Sequence, residues 1–347
     1  MAGPRNSGMS AFTTTRRAAL AAAVALLSAC AQLAPVADPL PSWNNGAAKD
    51  AIVQFVRKTT DATSPQFVPP AERVATFDQD GTLWVEQPMY AQVVFALDRV
   101  KDVVRAQPAL AEEAPFKAVV TGDREAVARF TEEDIVKIVA ASQSGLTIEA
   151  FRDVVKTWLA TARHPKFQRP YTELVYAPML EAMKYLRANG YRTYIATGGG
   201  QEFVRAFAEA IYGIPPEQVM GTLLKVDYSV PGGAPTLTNA PALFFVNDRE
   251  GKPVGINMMI GRRPQAAFGN SNGDQQMLEW TTGGSGARLG MLVLHDDAKR
   301  EFAYGPAAGL PESRIGTFTQ PLYDEAKAKG WTVISIKNDW KRVFAFE

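Results

Sequence analysis

Histidine and cysteine are nearly missing from this chain: His164 and His295 are its two imidazoles and Cys30 its one thiol. A histidine-rich zinc centre has almost nothing to draw on, and a Ser-His-Asp hydrolase would have to use one of those two histidines. A surplus of one charge is lacking too. With 37 basic and 36 acidic residues the formal net charge is +1, so no basic field holds a nucleic acid backbone and no acidic field repels one. Disorder is excluded by a composition of 46% apolar and 21% charged residues, and 347 residues allow one large domain or two modest ones.

What is present begins with a targeting pattern. Arg16-Arg17 precede an apolar run at 18–27, too short to span a bilayer as a helix. The run ends in Leu27-Ser28-Ala29-Cys30, which resembles the bacterial lipobox. That resemblance implies cleavage before Cys30, lipidation of its thiol, and export to the periplasm or cell envelope. Residues 1–30 are thus read as a signal peptide, and 31–46, with Pro35, Pro39 and Pro41, as a linker.

Beyond the linker, apolar periodicity predicts helices at 47–58, 89–104, 132–141, 148–162 and 201–212. Short apolar runs at 73–77, 191–196, 266–268, 289–294 and 332–336 predict buried strands. The alternation implies an α/β chain with a doubly wound, mostly parallel sheet, whose chemistry belongs at the carboxyl ends of its strands. A parallel crossover needs only a dozen or more residues, yet about 117 positions separate Asp80 from Thr197. That interval, 89–180, is read as an inserted, mainly helical cap on a core made of 47–88 and 181–347.

Polar clusters stand at those strand ends. Asp78 and Asp80, two apart before Gly81, repel each other, which raises a pKa or calls for a cation. Magnesium suits such oxygen donors, and a carboxylate can attack phosphorus while its neighbour moves the proton. A plain Asp-Gly turn is the bland alternative. A calcium loop fits poorly, because Gly81 comes too early and Met89 occupies the position wanting a bidentate Glu. Thr197, followed by Gly198, Gly199 and Gly200 at a strand-to-helix junction, suits an anion cradle. A dinucleotide fingerprint fails at Phe203, and a P-loop fails at Val246 and Pro253. Gly269-Asn270-Ser271-Asn272-Gly273-Asp274 offers oxygen donors for a metal, or is simply a polar loop. Lys252, at the start of a predicted helix, would neutralise the Asp pair and a phosphoryl group, with Arg262 and Arg263 as rival cations. Trp84, Glu86 and Gln87 are placed to meet a substrate from the cap side. His164 reads as structural, and Asp297 beside His295 reads as the cap of a helix from Ala298.

In combination these segments resemble the haloacid dehalogenase superfamily, over roughly residues 73–296. Phe77-Asp78-Gln79-Asp80-Gly81-Thr82-Leu83 looks like its first signature and Ile195-Ala196-Thr197-Gly198-Gly199 like its second. Lys252 looks like the third. Residues 269–274, continuing to Met277-Leu278, look like the fourth in the phosphoserine-phosphatase-like branch. The resemblance implies a Rossmann-like core and Mg2+ as cofactor. Asp78 would be nucleophile and metal ligand, and Asp80 general acid/base and carbonyl donor to the metal. Thr197, Gly198 and Lys252 would bind the phosphate, and Asp274 would support the metal. The second Asp favours phosphate chemistry over dehalogenation. Two positions depart from the branch. Asn270 stands where an Asp ligates the metal, so that either Asn270 or Asp274 takes that place. Gln87 stands where a Glu reads phosphoserine. The expected activity is hydrolysis of small phosphate monoesters. Phosphotransfer, phosphonate cleavage and a binding protein that has lost catalysis are the alternatives.

Overall fold

The computed structural model describes residues 1–3 and 38–347. The proposed signal segment, the lipobox with Cys30 and most of the linker lie outside the described residues. Among those described, no helix is long and apolar enough to cross a membrane.

Seven strands form one sheet: β1 Val74–Phe77, β2 Arg192–Gly200, β3 Val219–Ser229, β4 Thr236–Phe245, β5 Ala266–Gly269, β6 Leu289–Leu294 and β7 Thr332–Ser335. Their order is β4-β3-β2-β1-β5-β6-β7, and neighbours run parallel except β3 and β4. β1 sits in the middle with Phe77 opposite Ile195 on one side and Phe268 on the other. The strand order reverses there, so the crevice at the carboxyl end of β1 is the natural ligand position.

Alternate residues of each strand feed two cores on opposite faces, as the period of two requires. Phe77, Ile195, Phe268, Met291 and Val293 pack into one core, with Phe77 and Phe268 stacked at 4.4 Å. Val74, Ala196, Ala267, Leu292 and Leu294 pack into the other. Both faces are buried, which is why these strands read as continuous apolar runs. The expected doubly wound α/β sheet is therefore present.

Between β1 and the crossover helix Ala177–Ala188 lie helices Ala91–Ala106, Ala114–Thr121, Arg124–Ala128, Glu132–Gln143 and Ile148–Thr161. The first four build a small core of their own around Val100, Phe116, Phe130 and Ile138. Glu132–Gln143 starts at a capping box, in which Thr131 accepts from the Asp134 amide and Asp134 accepts from that of Thr131. After that helix the chain pairs with β4: Gly145 N donates to Asn239 O at 2.9 Å and Asn239 N to Leu146 O at 3.0 Å.

Three features differ from expectation. β3 and β4 were not foreseen. Register shifts interrupt their alternation, and Pro241 is tolerated because β4 is an edge strand. The helix expected over 201–212 divides into Gln201–Arg205 and Ala208–Tyr212, since Phe207 leaves helical geometry (φ −133, ψ −15) and its ring stacks on Trp84 at 4.8 Å. Residues 298–300 form a turn rather than a helix; Asp297 Oδ1 accepts from the amides of Lys299 and Arg300.

Candidate active site

Asp78 follows β1 directly, and its amide continues the ladder by donating to Phe268 O at 2.9 Å. The chain then turns through Gly81, whose φ of +73° favours glycine. A Cβ there would stand 2.2 Å from Asn270 Nδ2 and 2.3 Å from Glu86 Oε1, so position 81 needs glycine twice over. Leu83, Trp84 and Val85 are buried beneath the turn.

Lys252 opens the helix Gly251–Ile260, and its ammonium lies 2.6 Å from Asp78 Oδ1 and 2.6 Å from Asp274 Oδ1. Burial works against its charge, but Asp274 and then Asp78 overcome this and hold its pKa above the ordinary lysine range. Asp274 turns its other oxygen to the amides of Asn270 and Ser271, at 2.9 and 3.1 Å. It therefore ties the loop after β5 to the lysine. Arg262 is exposed, and Arg263 bonds the Trp280 carbonyl and lies over its ring. Neither lines the cavity above Asp78.

Burial pushes the Asp78 carboxyl well above the usual range, with Asp274 adding to the effect against the opposing pull of Lys252. Asp80 is raised to about 6, mainly by burial, although Trp84 Nε1 donates to its Oδ1 at 2.7 Å. Trp84 is thus a buried support of Asp80 rather than a substrate contact.

Thr197 lies on β2, which continues through Gly200 where a glycine turn was expected. Thr197 Oγ1 accepts from the Gly199 amide at 3.0 Å. Asn247 and Thr222 brace this segment by donating to Thr197 O and Gly198 O, at 2.9 and 2.7 Å. A Cβ on Gly198 would come within 3.2 Å of Asp248 Oδ1. These supports had no sequence signal beyond polar residues after a strand.

Asn270 spends its side chain locally: Nδ2 donates to Glu86 Oε1 at 2.7 Å, and Oδ1 accepts from Thr82 Oγ1 at 3.0 Å. Tyr304 also donates to Glu86 Oε1 at 2.7 Å, yet burial drives the Glu86 pKa up to about 8. Glu86 lines the cavity. Gln87, its neighbour, turns away and donates to Ser313 Oγ at 2.8 Å and Ile315 O at 3.0 Å. His164 Nε2 donates to Gln87 O at 2.6 Å, a structural contact. His295 lies behind the turn, its Nε2 2.8 Å from Gly81 O and its Nδ1 3.0 Å from Glu301 Oε2. Burial lowers its basicity, but Glu301 more than compensates.

Asp78, Asp80, Thr197, Gly198 and Lys252 line one cavity of about 380 Å3. Its roof comes from Ala91–Ala106 and Glu132–Gln143 and one wall from β3 and β4. Sequence reasoning missed Gln92, which accepts from the Gly200 amide at 2.7 Å and ties the roof to the floor. It also missed Asp248, whose burial raises its pKa.

Does the donor set suit a magnesium ion? Asp78, Asp80, Glu86, Asp248 and Asp274 are buried or partly buried carboxyl groups, set against the Lys252 ammonium. Such an excess of hard oxygen donors fits a divalent cation. Among the described residues no group of three or more Asp, Glu, His or Cys side chains is arranged to hold a metal. Magnesium, which needs only one or two carboxylates and keeps several waters, fits this sparser set.

The family model described as haloacid dehalogenase-like hydrolase matches residues 75–279. No curated protein matches the chain. Among solved structures, a conserved protein of unknown function from Anaerococcus prevotii DSM 20548 is 15% identical, with a TM-score of 0.50, over 72% of this chain and 86% of that one. A protein of unknown function from Bordetella pertussis Tohama I is 16% identical, with a TM-score of 0.47, over 76% and 98%. A phosphoserine phosphohydrolase-like protein from Francisella tularensis subsp. tularensis SCHU S4 is 17% identical, with a TM-score of 0.35, over 65% and 89%. At 15% identity the likeness to the Anaerococcus prevotii protein is one of fold.

Proposed function

We infer that this chain, which belongs to the haloacid dehalogenase-like hydrolase family, is a magnesium-dependent phosphatase that hydrolyses small phosphate monoesters through an aspartyl phosphate on Asp78. The observation that carries this reading is Lys252, held 2.6 Å from Asp78 at the floor of the cavity with Asp80 alongside. A buried ammonium at that position attracts a phosphoryl group and steadies the charge that develops on it.

The chemistry follows from the two carboxyl groups. Asp78, whose ionised form is favoured by the Lys252 ammonium against the effect of burial, attacks phosphorus, forming an acyl phosphate as the bond to the leaving oxygen breaks. Asp80, whose pKa near 6 keeps a usable protonated fraction at neutral pH, protonates that oxygen. Asp80 then takes a proton from water, which cleaves the acyl phosphate to free Asp78 and inorganic phosphate. Thr197 and the Gly198 backbone bind the phosphoryl oxygens. Asp78 and the Asp80 carbonyl would hold the magnesium ion, with Asp274 supporting them through Lys252 and the Asn270 backbone amide, while the Asn270 side chain is engaged by Thr82 and Glu86. When bound, the ion would supply charge neutralisation on the phosphoryl oxygens.

Magnesium-dependent release of phosphate from 4-nitrophenyl phosphate, with the label of a 32P-ester trapped on the chain by acid quench, tests the proposal. Asp78→Asn should lose both turnover and trapped label; substantial activity in that variant defeats the mechanism. We further place the enzyme in the cell envelope, lipid-anchored at Cys30. Fatty-acid labelling that survives Cys30→Ser would refute the anchor.

A further inference from the structure

The cavity above Asp78 has two unlike ends. Carboxylates, Thr197 and Lys252 form its floor, whereas the side facing away from them is apolar. On Glu132–Gln143, Ile135, Val136 and Val139 line it at helical spacing, continuing the face that begins at Glu132. Leu224 of β3 and Leu243 of β4 line it from the sheet. Ile138, on another face of the same helix, is buried in the core of the inserted helices. Ile135 and Val139 also pack against that core, but Val136 keeps 36% of its surface exposed and Leu243, on β4, 41%, apolar surface that the fold leaves open.

Charge narrows the choice of occupant. Among the described residues lining the cavity Lys252 is the one cation, and its ammonium is engaged by Asp78 and Asp274. The remaining ionisable wall is acidic, with Glu86, Glu132 and Asp248. A carboxylate or second phosphate on the leaving group would meet these acids without the guanidinium or ammonium that recognises such anions. The other polar side chains that line it, Tyr90, Gln92, Gln143, Thr222 and Ser271, are neutral, and Gln92 Oε1 is taken by Gly200.

We propose that the leaving group is an uncharged, largely apolar alcohol or phenol, so that the substrate is an alkyl or aryl phosphate rather than a phosphorylated amino acid, sugar acid or bisphosphate. This rests on the phosphatase reading above. The apolar body lies against Val136, Val139 and Leu243. Hydrolysis breaks the P–O bond, the departing oxygen takes the proton from Asp80, and water later releases inorganic phosphate from Asp78.

The test uses the full chain with magnesium. Ethyl, butyl and hexyl phosphate are compared with O-phosphoserine and 3-phosphoglycerate, all oxygen esters of aliphatic alcohols. kcat/KM should climb along the alkyl series and for hexyl phosphate exceed that for O-phosphoserine by about 10- to 100-fold, the range a hydrophobic pocket supplies. Leu243→Lys and Val136→Lys alter half-exposed positions on opposite walls. Each should raise KM for hexyl phosphate about tenfold or more and narrow its advantage over O-phosphoserine. If both variants fail to fold, the alkyl series in the native protein decides. A flat series, or equal or better turnover of the anionic esters, overturns the apolar assignment and leaves the phosphatase reading standing. No hydrolysis of any ester overturns both.

Discussion

Replacing Glu86 by Gln changes a buried charge while keeping the side chain's length. The carboxyl is 2% exposed, accepts from Asn270 and Tyr304, and lies near Asp78 and Asp80. Burial moves its pKa from an ordinary 4.5 to about 8 in the folded chain. A carboxyl that binds its proton more tightly when folded stabilises the fold below its unfolded pKa, and that stability drains away as pH rises through the folded one. At about 1.4 kcal/mol per tenfold change in affinity, the loss between pH 4.5 and 8 is about 5 kcal/mol. The Glu86→Gln side chain would keep the two donated hydrogen bonds at its Oε1 and carry no charge, so the variant escapes the loss. The assay is thermal melting of both proteins from pH 4.5 to 9 in EDTA, which removes the complication of bound metal. Glu86 and His295 each favour the other's charged form, so the difference between the curves reports position 86 together with its coupling to His295. The melting temperatures should nearly coincide at pH 4.5, and Glu86→Gln should be higher by about 10 °C at pH 8.5, at about 2 °C per kcal/mol for a chain of this size. Parallel curves, or a variant that melts lower at pH 8.5, would refute the reasoning.

Asp80 must carry a proton when the leaving group departs, and its pKa lies near 6. kcat/KM for an alkyl phosphate should therefore fall about tenfold per pH unit above that value, and Asp80→Asn, slower by about 10²–10⁴, should lack this limb. Asn270→Asp sets a carboxylate where an amide nitrogen now donates to Glu86 at 2.7 Å. It should cost about 1–3 kcal/mol at pH 8 and less at pH 5, read by urea denaturation, and adding Glu86→Gln should recover most of it. Gly81→Ala forces a Cβ into Asn270 and Glu86 at a φ of +73°. A stability loss of about 2–4 kcal/mol is expected on chemical denaturation, and an unchanged midpoint would contradict the turn geometry.

Much of the site was legible because its chemistry sits at strand ends. Asp78, Thr197 and Asn270 each adjoin or end a short apolar run, and parallel strands bring their carboxyl ends to one edge of the sheet. Lys252 was named without a strand to place it, and the fold brought it within 2.6 Å of Asp78. The glycine at 81 was readable as a turn, but not as the space that Asn270 and Glu86 fill from behind.

What the residues determined by themselves was local: apolar runs that bury on both faces, an Asp pair before a glycine, polar loops after strands. Tertiary structure decided the rest. Whether Glu86 or Gln87 enters the cavity depends on the path of a loop held by Ser313 and His164, both far away in the chain. Asn270 has its partners at Thr82 and Glu86, 188 and 184 positions distant. The β3–β4 pair, with its broken alternation, has no sequence period to announce it, yet it builds the cavity wall. Such contacts join segments whose meeting is set by the packing of the whole sheet, and no local pattern encodes them.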